Sequence, residues 1–224
     1  MTHPIHISAV GMACPVGLTA QAACAAMRAG IDRRQELPYA DKHGRPFVGS
    51  ALARLFEDPA PRRRWLRLLG YALRDLGCTQ GSETLRRLPM LLMVPASEKG
   101  RLRLPEFLAQ ELSQLVDIEL DPRRIQLVEL GTHAAFQAVK IAREGLLQGQ
   151  YEKCIVGAAD SLIDGRTLLD LDAEGRLLTE ENSDGMTPGE AAACLVLHSE
   201  SHDAIGTIHG LGAGHESSLL SNDV

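Results

Sequence analysis

Apolar strands and amphipathic or alanine-rich helices alternate along most of this chain, at intervals of about 30 residues. This alternation is typical of α/β domains in which helices cover both faces of a sheet. Residues 88–95 contain only apolar side chains and proline, which predicts a strand buried on both faces. The other predicted strands are residues 5–10, 125–129 and 153–159, and the predicted helices are residues 19–30, 62–76, 105–116 and 132–148.

Two long segments interrupt this alternation. Residues 31–61 combine several prolines with mixed charge and show no sustained period, so we interpret them as a long loop or excursion. Residues 162–189 are polar and acidic and are predicted to form a second long loop. Beyond it, residues 191–197 and 204–210 have the apolar pattern of strands and are separated by a short turn, which predicts a hairpin.

The composition is that of an ordinary globular protein, with 224 residues, 45% of them hydrophobic, and a net charge of −6. A chain of this length buries enough apolar surface to fold without disulfide or metal staples. Its acidic balance argues against a nucleic-acid partner, although arginines cluster in the predicted helix 62–76. We interpret this cluster as a solvated helix face or a contact for an acidic protein. Its members are Arg62, Arg63, Arg64, Arg67 and Arg74.

No pattern indicates a cofactor, a metal or a membrane. The five cysteines form no Cys-x-x-Cys pair and are predicted to be buried free thiols, while the eight histidines are too dispersed for structural zinc. The turn from Gly11 to Gly17 lacks the lysine of a phosphate-binding loop, and the carboxylates of residues 162–189 fit no EF-hand. The N-terminal residues lack the regions of a signal peptide. We therefore expect a cytoplasmic protein without cofactor, metal or membrane contact.

Several segments, taken in order, resemble one enzyme family. The first is the turn Gly11-Met12-Ala13-Cys14-Pro15-Val16-Gly17, between a predicted strand and a predicted helix. The others are residues 131–135 at a helix start, residues 154–161, residues 176–179, and Asp184-Gly185-Met186-Thr187-Pro188-Gly189-Glu190-Ala191-Ala192-Ala193. Together they are similar to the opening turn, the nucleophile helix, the strand after it and two later motifs of the β-ketoacyl synthases, which have the thiolase fold.

The resemblance implies an α/β, thiolase-like fold with a mixed sheet of about five strands flanked by helices. This corresponds to the N-terminal half of an αβαβα ketosynthase. It also implies a single ketosynthase-like domain over residues 1–224, with the excursion at 31–61 and the loop at 162–189. The structural motif positions of the family fall on Gly11, Pro15, Gly17, Gly185, Gly189 and Glu190.

The position of the family's catalytic cysteine falls on Thr132, with His133 beside it. A cysteine at a helix N-terminus forms a reactive thiolate, whereas a threonine hydroxyl without an adjacent base is a poor nucleophile. A shift of the alignment does not restore the cysteine, because none lies between Cys78 and Cys154. The family's two catalytic histidines belong to a C-terminal half that lies beyond residue 224. We therefore expect no catalytic residue in this chain.

Two functions compete on this basis. The first is a non-catalytic ketosynthase-like protein that binds a protein partner, as the chain-length-factor partners of ketosynthases do. The N-terminal segment, including residues 36–41, also resembles ketosynthase-like proteins encoded beside type VI secretion components, which implies an accessory or chaperone-like factor for an effector or adaptor. The alternative is the N-terminal half of an active β-ketoacyl-ACP synthase or acyltransferase, completed by a missing half and served by an acyl carrier protein. A hydrolase at the acidic loop 162–189 is a third class that rests on carboxylates alone.

The resemblance also predicts where a partner binds. Half of a five-layer fold leaves a helix face uncovered, and the alanine-rich helix 132–148 is expected to carry an apolar face that a partner or a second copy covers. In the family, the strand before this helix pairs across a two-fold axis. The candidate partner or homodimer edge is therefore Ile125, Gln126, Leu127, Val128 and Glu129.

Overall fold

The structure, a computed structural model, describes residues 3–56, 60–93, 108–128, 134–212 and 214. Its strands are β1 (Ile5–Ala13), β2 (Arg34–Ala40), β3 (Pro46–Ser50), β4 (Met90–Met93), β5 (Ile125–Val128), β6 (Lys153–Ser161), β7 (Glu190–His198) and β8 (Gly206–Ile208). Its helices are α1 (Ala20–Arg28), α2 (Pro61–Gln80), α3 (Ser82–Arg87), α4 (Leu108–Val116), α5 (Ala134–Leu147) and α6 (Gly165–Ala173).

Six strands form one mixed sheet in the order β5-β4-β6-β7-β1-β8. β4 runs parallel to β5 and β6, whereas β6, β7, β1 and β8 pair antiparallel in succession. All four residues of β4 are buried, which confirms the prediction of a strand covered on both faces. The mixed sheet flanked by helices agrees with the predicted fold class, with six strands in the sheet where about five were predicted.

The predicted hairpin between residues 191–197 and 204–210 is wrong, because β7 and β8 do not pair with each other. β1 lies between them, so that His6 pairs with His198 on one side and with Thr207 on the other. β7 pairs along its length with both β6 and β1. Neither edge of β7 is free, and β8 therefore pairs with the remaining edge of β1.

The two faces of the sheet are covered by different helices. Successive residues of a strand point to opposite faces, so Met90 and Leu92 join one core while Leu91 and Met93 join the other. We call the first side the α2 face, because the 20-residue helix α2 packs there across β1, β7 and β6, with α4 against α2. We call the second side the α5 face, where α5 packs on β4, β5 and β6 through buried apolar residues. These α5 residues are Ala138, Val139, Ala142 and Leu146.

The two segments predicted as loops both contain regular structure. Residues 34–50 form the hairpin β2–β3, whose turn is closed by Gly44 at φ 79°, with its N–H donating to the Asp41 carbonyl at 3.0 Å. The second segment contains α6, capped by Asp164. Both were missed because their apolar positions are few and are buried against each other. This small third core contains Leu37, Phe47, Ala51, Ile163, Leu168 and Leu177.

Three of the five cysteines are buried as predicted, namely Cys14, Cys154 and Cys194. The prediction is wrong for Cys24 and Cys78, which are exposed on the outer sides of α1 and α2. Among the residues that the structure describes, no helix combines the length and the apolar character needed to cross a bilayer.

Candidate functional site: a cleft and a free sheet edge beside α5

An apolar cleft of about 370 Å³ lies on the α5 face, where β4 and β6 end and β7 begins. Its walls come from β1, α1, β4, α5, β6 and β7. Six alanines and three methionines make up most of the lining, so the cleft favours aliphatic groups over polar ones. The lining residues are Met12, Cys14, Met27, Met93, Ala135, Ala158, Ala159, Asp160, Ala191, Ala192 and Ala193.

Asp160, the last residue but one of β6, supplies the carboxylate of this lining. Partial removal from water raises the pKa of Asp160, and the hydrogen bond from the Ser161 N–H to its Oδ1, at 2.8 Å, opposes that rise. The carboxylate of Asp160 is thus a hydrogen-bond acceptor at the rim of the cleft. Cys14 contributes a buried free thiol to the same lining.

Thr132 and His133 lie outside the described residues, as does Glu129. The first described residue of the helix is Ala134, and Ala135 lines the cleft. The chain thus reaches the cleft directly after the segment in which the resemblance places a nucleophile.

The glycines of the resemblance motifs lie at close backbone contacts. A Cβ on Gly11 would stand 2.1 Å from the Ala72 carbonyl oxygen of α2, one on Gly17 would stand 2.4 Å from the Ala23 nitrogen, and one on Gly185 would stand 2.1 Å from the Leu177 carbonyl. Pro15 lies in the turn between Cys14 and Gly17, whose backbones exchange hydrogen bonds of 2.8 and 3.0 Å. Gly189 is different, because a Cβ there would meet its nearest atom, the Ser50 oxygen, only at 3.6 Å.

Glu190 forms a buried ion pair with Arg64, which overturns the prediction that Arg64 belongs to a solvated helix face. Arg64 is 1% exposed, and its Nη2 donates to Glu190 Oε1 at 2.8 Å. Glu190 also accepts hydrogen bonds from the Leu52 N–H at 2.7 Å and from the Ser161 hydroxyl at 2.8 Å. The pair therefore ties α2 to the adjacent ends of β6 and β7, directly behind the cleft. Sequence periodicity could not distinguish Arg64 from the neighbouring arginines, because its partner lies 126 positions away.

β5 forms one edge of the main sheet and pairs only with β4 among the described strands. Ile125 and Leu127 are half-buried against the core of the α2 face, Gln126 is exposed and Val128 is buried against the α5 core. Four residues of the predicted partner edge thus form a strand with one unpaired side, next to the sheet face that α5 covers.

Comparisons with known proteins agree with this architecture. Residues 133–203 match the family model of the β-ketoacyl synthase N-terminal domain, which covers about a third of the chain. A ketosynthase in complex with its chain length factor from Xenorhabdus doucetiae has 19% identity and a TM-score of 0.60 over 89% of this chain and 59% of that one. A β-ketoacyl synthase from Burkholderia phymatum has 19% identity and a TM-score of 0.59, and the match covers 90% of this chain and 60% of that one. The chain folds as the N-terminal half of a ketosynthase.

A further ketosynthase structure, in complex with a type II polyketide acyl-carrier protein, has 13% identity and a TM-score of 0.65, covering 88% of this ketosynthase-like chain and 58% of that one. No significant match exists among curated protein sequences. The ketosynthase-like chain spans about 60% of the length of these three structures.

The outward side of α5 in this ketosynthase-like chain mixes apolar and charged residues, where the sequence predicted an apolar face. Phe136 is 67% exposed and Leu147 is exposed, but Lys140 and Glu144 lie between them on the exposed side. The described part of the face is therefore amphipathic, and the more apolar surface nearby is the cleft.

Several carboxylates of the acidic loop make structural contacts in this ketosynthase-like chain. The Asp164 carboxylate caps α6 by accepting hydrogen bonds from the N–H groups of Arg166 and Thr167, at 3.1 and 3.0 Å. Glu180 and Glu181 form ion pairs with Arg45 of the β2–β3 hairpin. Within the described ranges, no three His, Cys, Asp or Glu side chains are placed to hold a metal ion.

Proposed function

We propose that this ketosynthase-like chain is non-catalytic and acts by binding a protein partner along the free edge of β5. The observation that carries the proposal is that β5 ends the sheet with one side unpaired in the described structure. An unpaired edge presents a row of N–H and C=O groups that a strand from another chain can satisfy.

The make-up of β5 supports this proposal. Edge strands that must stay unpaired usually carry proline, lysine or a bulge. The sequence Ile125-Gln126-Leu127-Val128 has neither of these residues, and its register with β4 is regular. We take a second copy of the chain as the occupant, because an antiparallel pair of identical edge strands forms a closed two-fold dimer.

The non-catalytic part of the proposal is supported by Thr132 at the family's nucleophile position. One of the similar structures is a ketosynthase in complex with its chain length factor, and we extend a comparable accessory role to this chain. The N-terminal segment resembles ketosynthase-like proteins encoded beside type VI secretion components. On this basis we extend the accessory role to that of a chaperone-like factor for a type VI secretion effector or adaptor.

Introducing a positive or a negative charge at Gln126 tests the edge. In a two-fold antiparallel pair of such short strands, residue 126 comes close to its own copy, so like charges repel and opposite charges attract. We expect Gln126→Lys and Gln126→Glu each to sediment as monomers, and an equimolar mixture of the two variants to form dimers. Gln148→Lys, which changes an exposed residue at the end of α5, is the control and is expected to behave as wild type. A monomeric wild-type chain at micromolar concentration in analytical ultracentrifugation would overturn the homodimer.

The alternative, an acyl-transferring half-enzyme served by an acyl carrier protein, is favoured by one observation. The apolar cleft lies beside the first described turn of α5 and is lined by the Cys14 thiol. Incubation with an acyl thioester followed by intact-mass and peptide analysis separates the two functions. We expect no adduct at Thr132 and no condensation activity in Thr132→Cys. A stable acyl adduct at Thr132 would contradict the non-catalytic proposal, and Cys14→Ser identifies any adduct on the cleft thiol.

A further inference from the structure

Three histidines meet at the end of the sheet opposite the cleft. His6 on β1 and His198 on β7 have ring centroids 5.9 Å apart, and His198 and His202 have centroids 5.8 Å apart. His198 is only 1% exposed, and neither of its ring nitrogens has a hydrogen-bond partner among the described residues. A buried imidazole without partners is stable only while it is neutral, because nothing compensates the loss of water around a charged ring.

The charged groups around His198 come from three elements. Lys153 is its pairing partner on β6, His6 is its pairing partner on β1, and the turn after β7 carries Glu200 and His202. Burial lowers the pKa of His198, and Lys153, His202 and His6 lower it further, whereas Glu200 raises it. Glu200 is largely engaged elsewhere, since its Oε2 lies 2.9 Å from Nδ1 of His202.

Of the segments that surround His198, the one that carries β8 is held to the sheet by the fewest contacts. β8 has three residues, forms the edge of the sheet and pairs only with β1 among the described strands. It is held by the hydrogen bond between His6 Nδ1 and Thr207 Oγ1 at 3.0 Å, and by the Ile205 N–H donating to the Ile7 carbonyl at 2.8 Å. β6, β7 and β1 are each paired on both sides and cannot separate without breaking the sheet.

We propose that the cluster of His6, His198 and His202 is an acid-sensitive latch, which releases β8 from β1 when His198 takes up a proton. Opening of the 199–208 segment exposes the His198 ring to water. The opened form therefore binds a proton at a pH at which the closed form stays neutral. Release leaves the Ile5–Ile7 stretch of β1 as an unpaired edge, at the side of the sheet opposite β5. A newly unpaired edge is a surface on which a strand of another chain can pair.

The direction of the pH dependence follows from proton uptake. Well above pH 6.5, His198 is neutral in both forms and β8 stays closed. As the pH falls below 6.5, the ratio of opened to closed form rises by roughly tenfold per pH unit, until the pH reaches the lowered pKa of the closed form.

Amide hydrogen exchange of the full chain tests the latch, with the Ile205 N–H as the reporter and rates converted to protection factors. Between pH 7.5 and 5.5 we expect its protection to fall several-fold to tenfold, while the amides of β6 stay protected. His198→Phe keeps a ring of similar size and loses no hydrogen bond, so its Ile205 protection is expected to stay constant with pH. His43→Gln, an exposed histidine in the β2–β3 turn, is the matched control and is expected to follow wild type.

Wild-type NMR gives a second measurement that requires no variant. The ring proton signals of His198 are expected to stay at their neutral positions while Ile205 protection begins to fall, and to titrate only at lower pH, because the closed form still predominates. An unchanged protection factor in wild type, an equal loss in His198→Phe, or a His198 ring that titrates while Ile205 stays protected would each overturn the latch.

Discussion

The two faces of the main sheet are built from similar residues but are completed differently. On the α2 face, a long helix crosses β1, β7 and β6, and the apolar residues beneath it are almost fully buried. On the α5 face, α5 covers the β4–β6 side of the sheet, and the cleft lies where β1 and β7 contribute alanines and Met12. The contrast is sharpest at adjacent positions of β7, where Ala192 is 3% exposed and Ala191 is exposed.

This difference separates residues that hold the fold from residues that are available to bind something. Gly11 and Glu190, two of the motif positions, have their contacts on the α2 face with residues of α2. The cleft and the unpaired side of β5 are the surfaces left open. Neither depends on buried contacts of the kind that Gly11 and Glu190 make. The following changes test the contrast, from the largest expected effect to the smallest.

Glu190→Ala is expected to destabilise the protein most. It leaves the Arg64 guanidinium buried without its partner, and breaking a buried ion pair in this way costs about 3–5 kcal/mol. Urea unfolding followed by circular dichroism measures the loss. The double variant Arg64→Met/Glu190→Ala is expected to recover part of it, because the unpaired buried charge is gone. A single variant as stable as wild type would show that the ion pair does not hold the α2 face.

Gly11→Ala is expected to cost about 1–3 kcal/mol, because the added methyl group meets the α2 backbone and the helix must move. Gly189→Ala is the control, with a nearest contact of 3.6 Å and an expected change within about 0.5 kcal/mol. The same unfolding measurement compares them. Equal losses at the two glycines would contradict the close packing of α2 on β1.

Ala192→Leu and Ala191→Leu place the same side chain on opposite faces of one strand. On the α2 face the leucine overfills a packed core, and the expected loss is about 1–3 kcal/mol. On the α5 face it enters the cleft, and the expected change is within about 0.5 kcal/mol. A fluorescent fatty-acyl probe that binds wild type in the cleft is expected to lose binding in Ala191→Leu. If Ala191→Leu is the more destabilising variant, the assignment of the open face is wrong.

Thiol labelling is the mildest test, because it changes no residue. Burial raises the pKa of Cys154 and of Cys194 to about 12, so little reactive thiolate forms at either position at pH 8. We expect the exposed Cys24 and Cys78 to react first, Cys14 at the cleft more slowly, and Cys154 and Cys194 only on unfolding. Peptide mass spectrometry resolves the order, and early labelling of Cys194 would show that the α2 face opens.

Local signals predicted the elements whose pattern lies within a few residues. The apolar run that contains β4 was predicted as a strand buried on both sides, and it is. The helix predicted over residues 19–30 is α1, which Thr19 caps by accepting a hydrogen bond from the Ala22 N–H at its Oγ1, at 3.1 Å. The β2–β3 hairpin escaped, because its few apolar residues gain their partners from α6 and the loop after it. The Arg64–Glu190 pair escaped as well, because its members lie 126 positions apart. Arg64 was interpreted as part of a solvated face, and Glu190 was identified only as a motif position.

The sequence by itself determined most of the strands and helices around the main sheet, the positions of the motif glycines, and which family the chain resembles. These depend on periodicity and on glycine positions, which are local properties. Only the tertiary structure decided that β1 separates β7 from β8, that Arg64 is internal, and that the open apolar surface is a cleft beside α5. Strand order and burial depend on competition among distant segments for the same edges and faces, and no local pattern records the outcome of that competition.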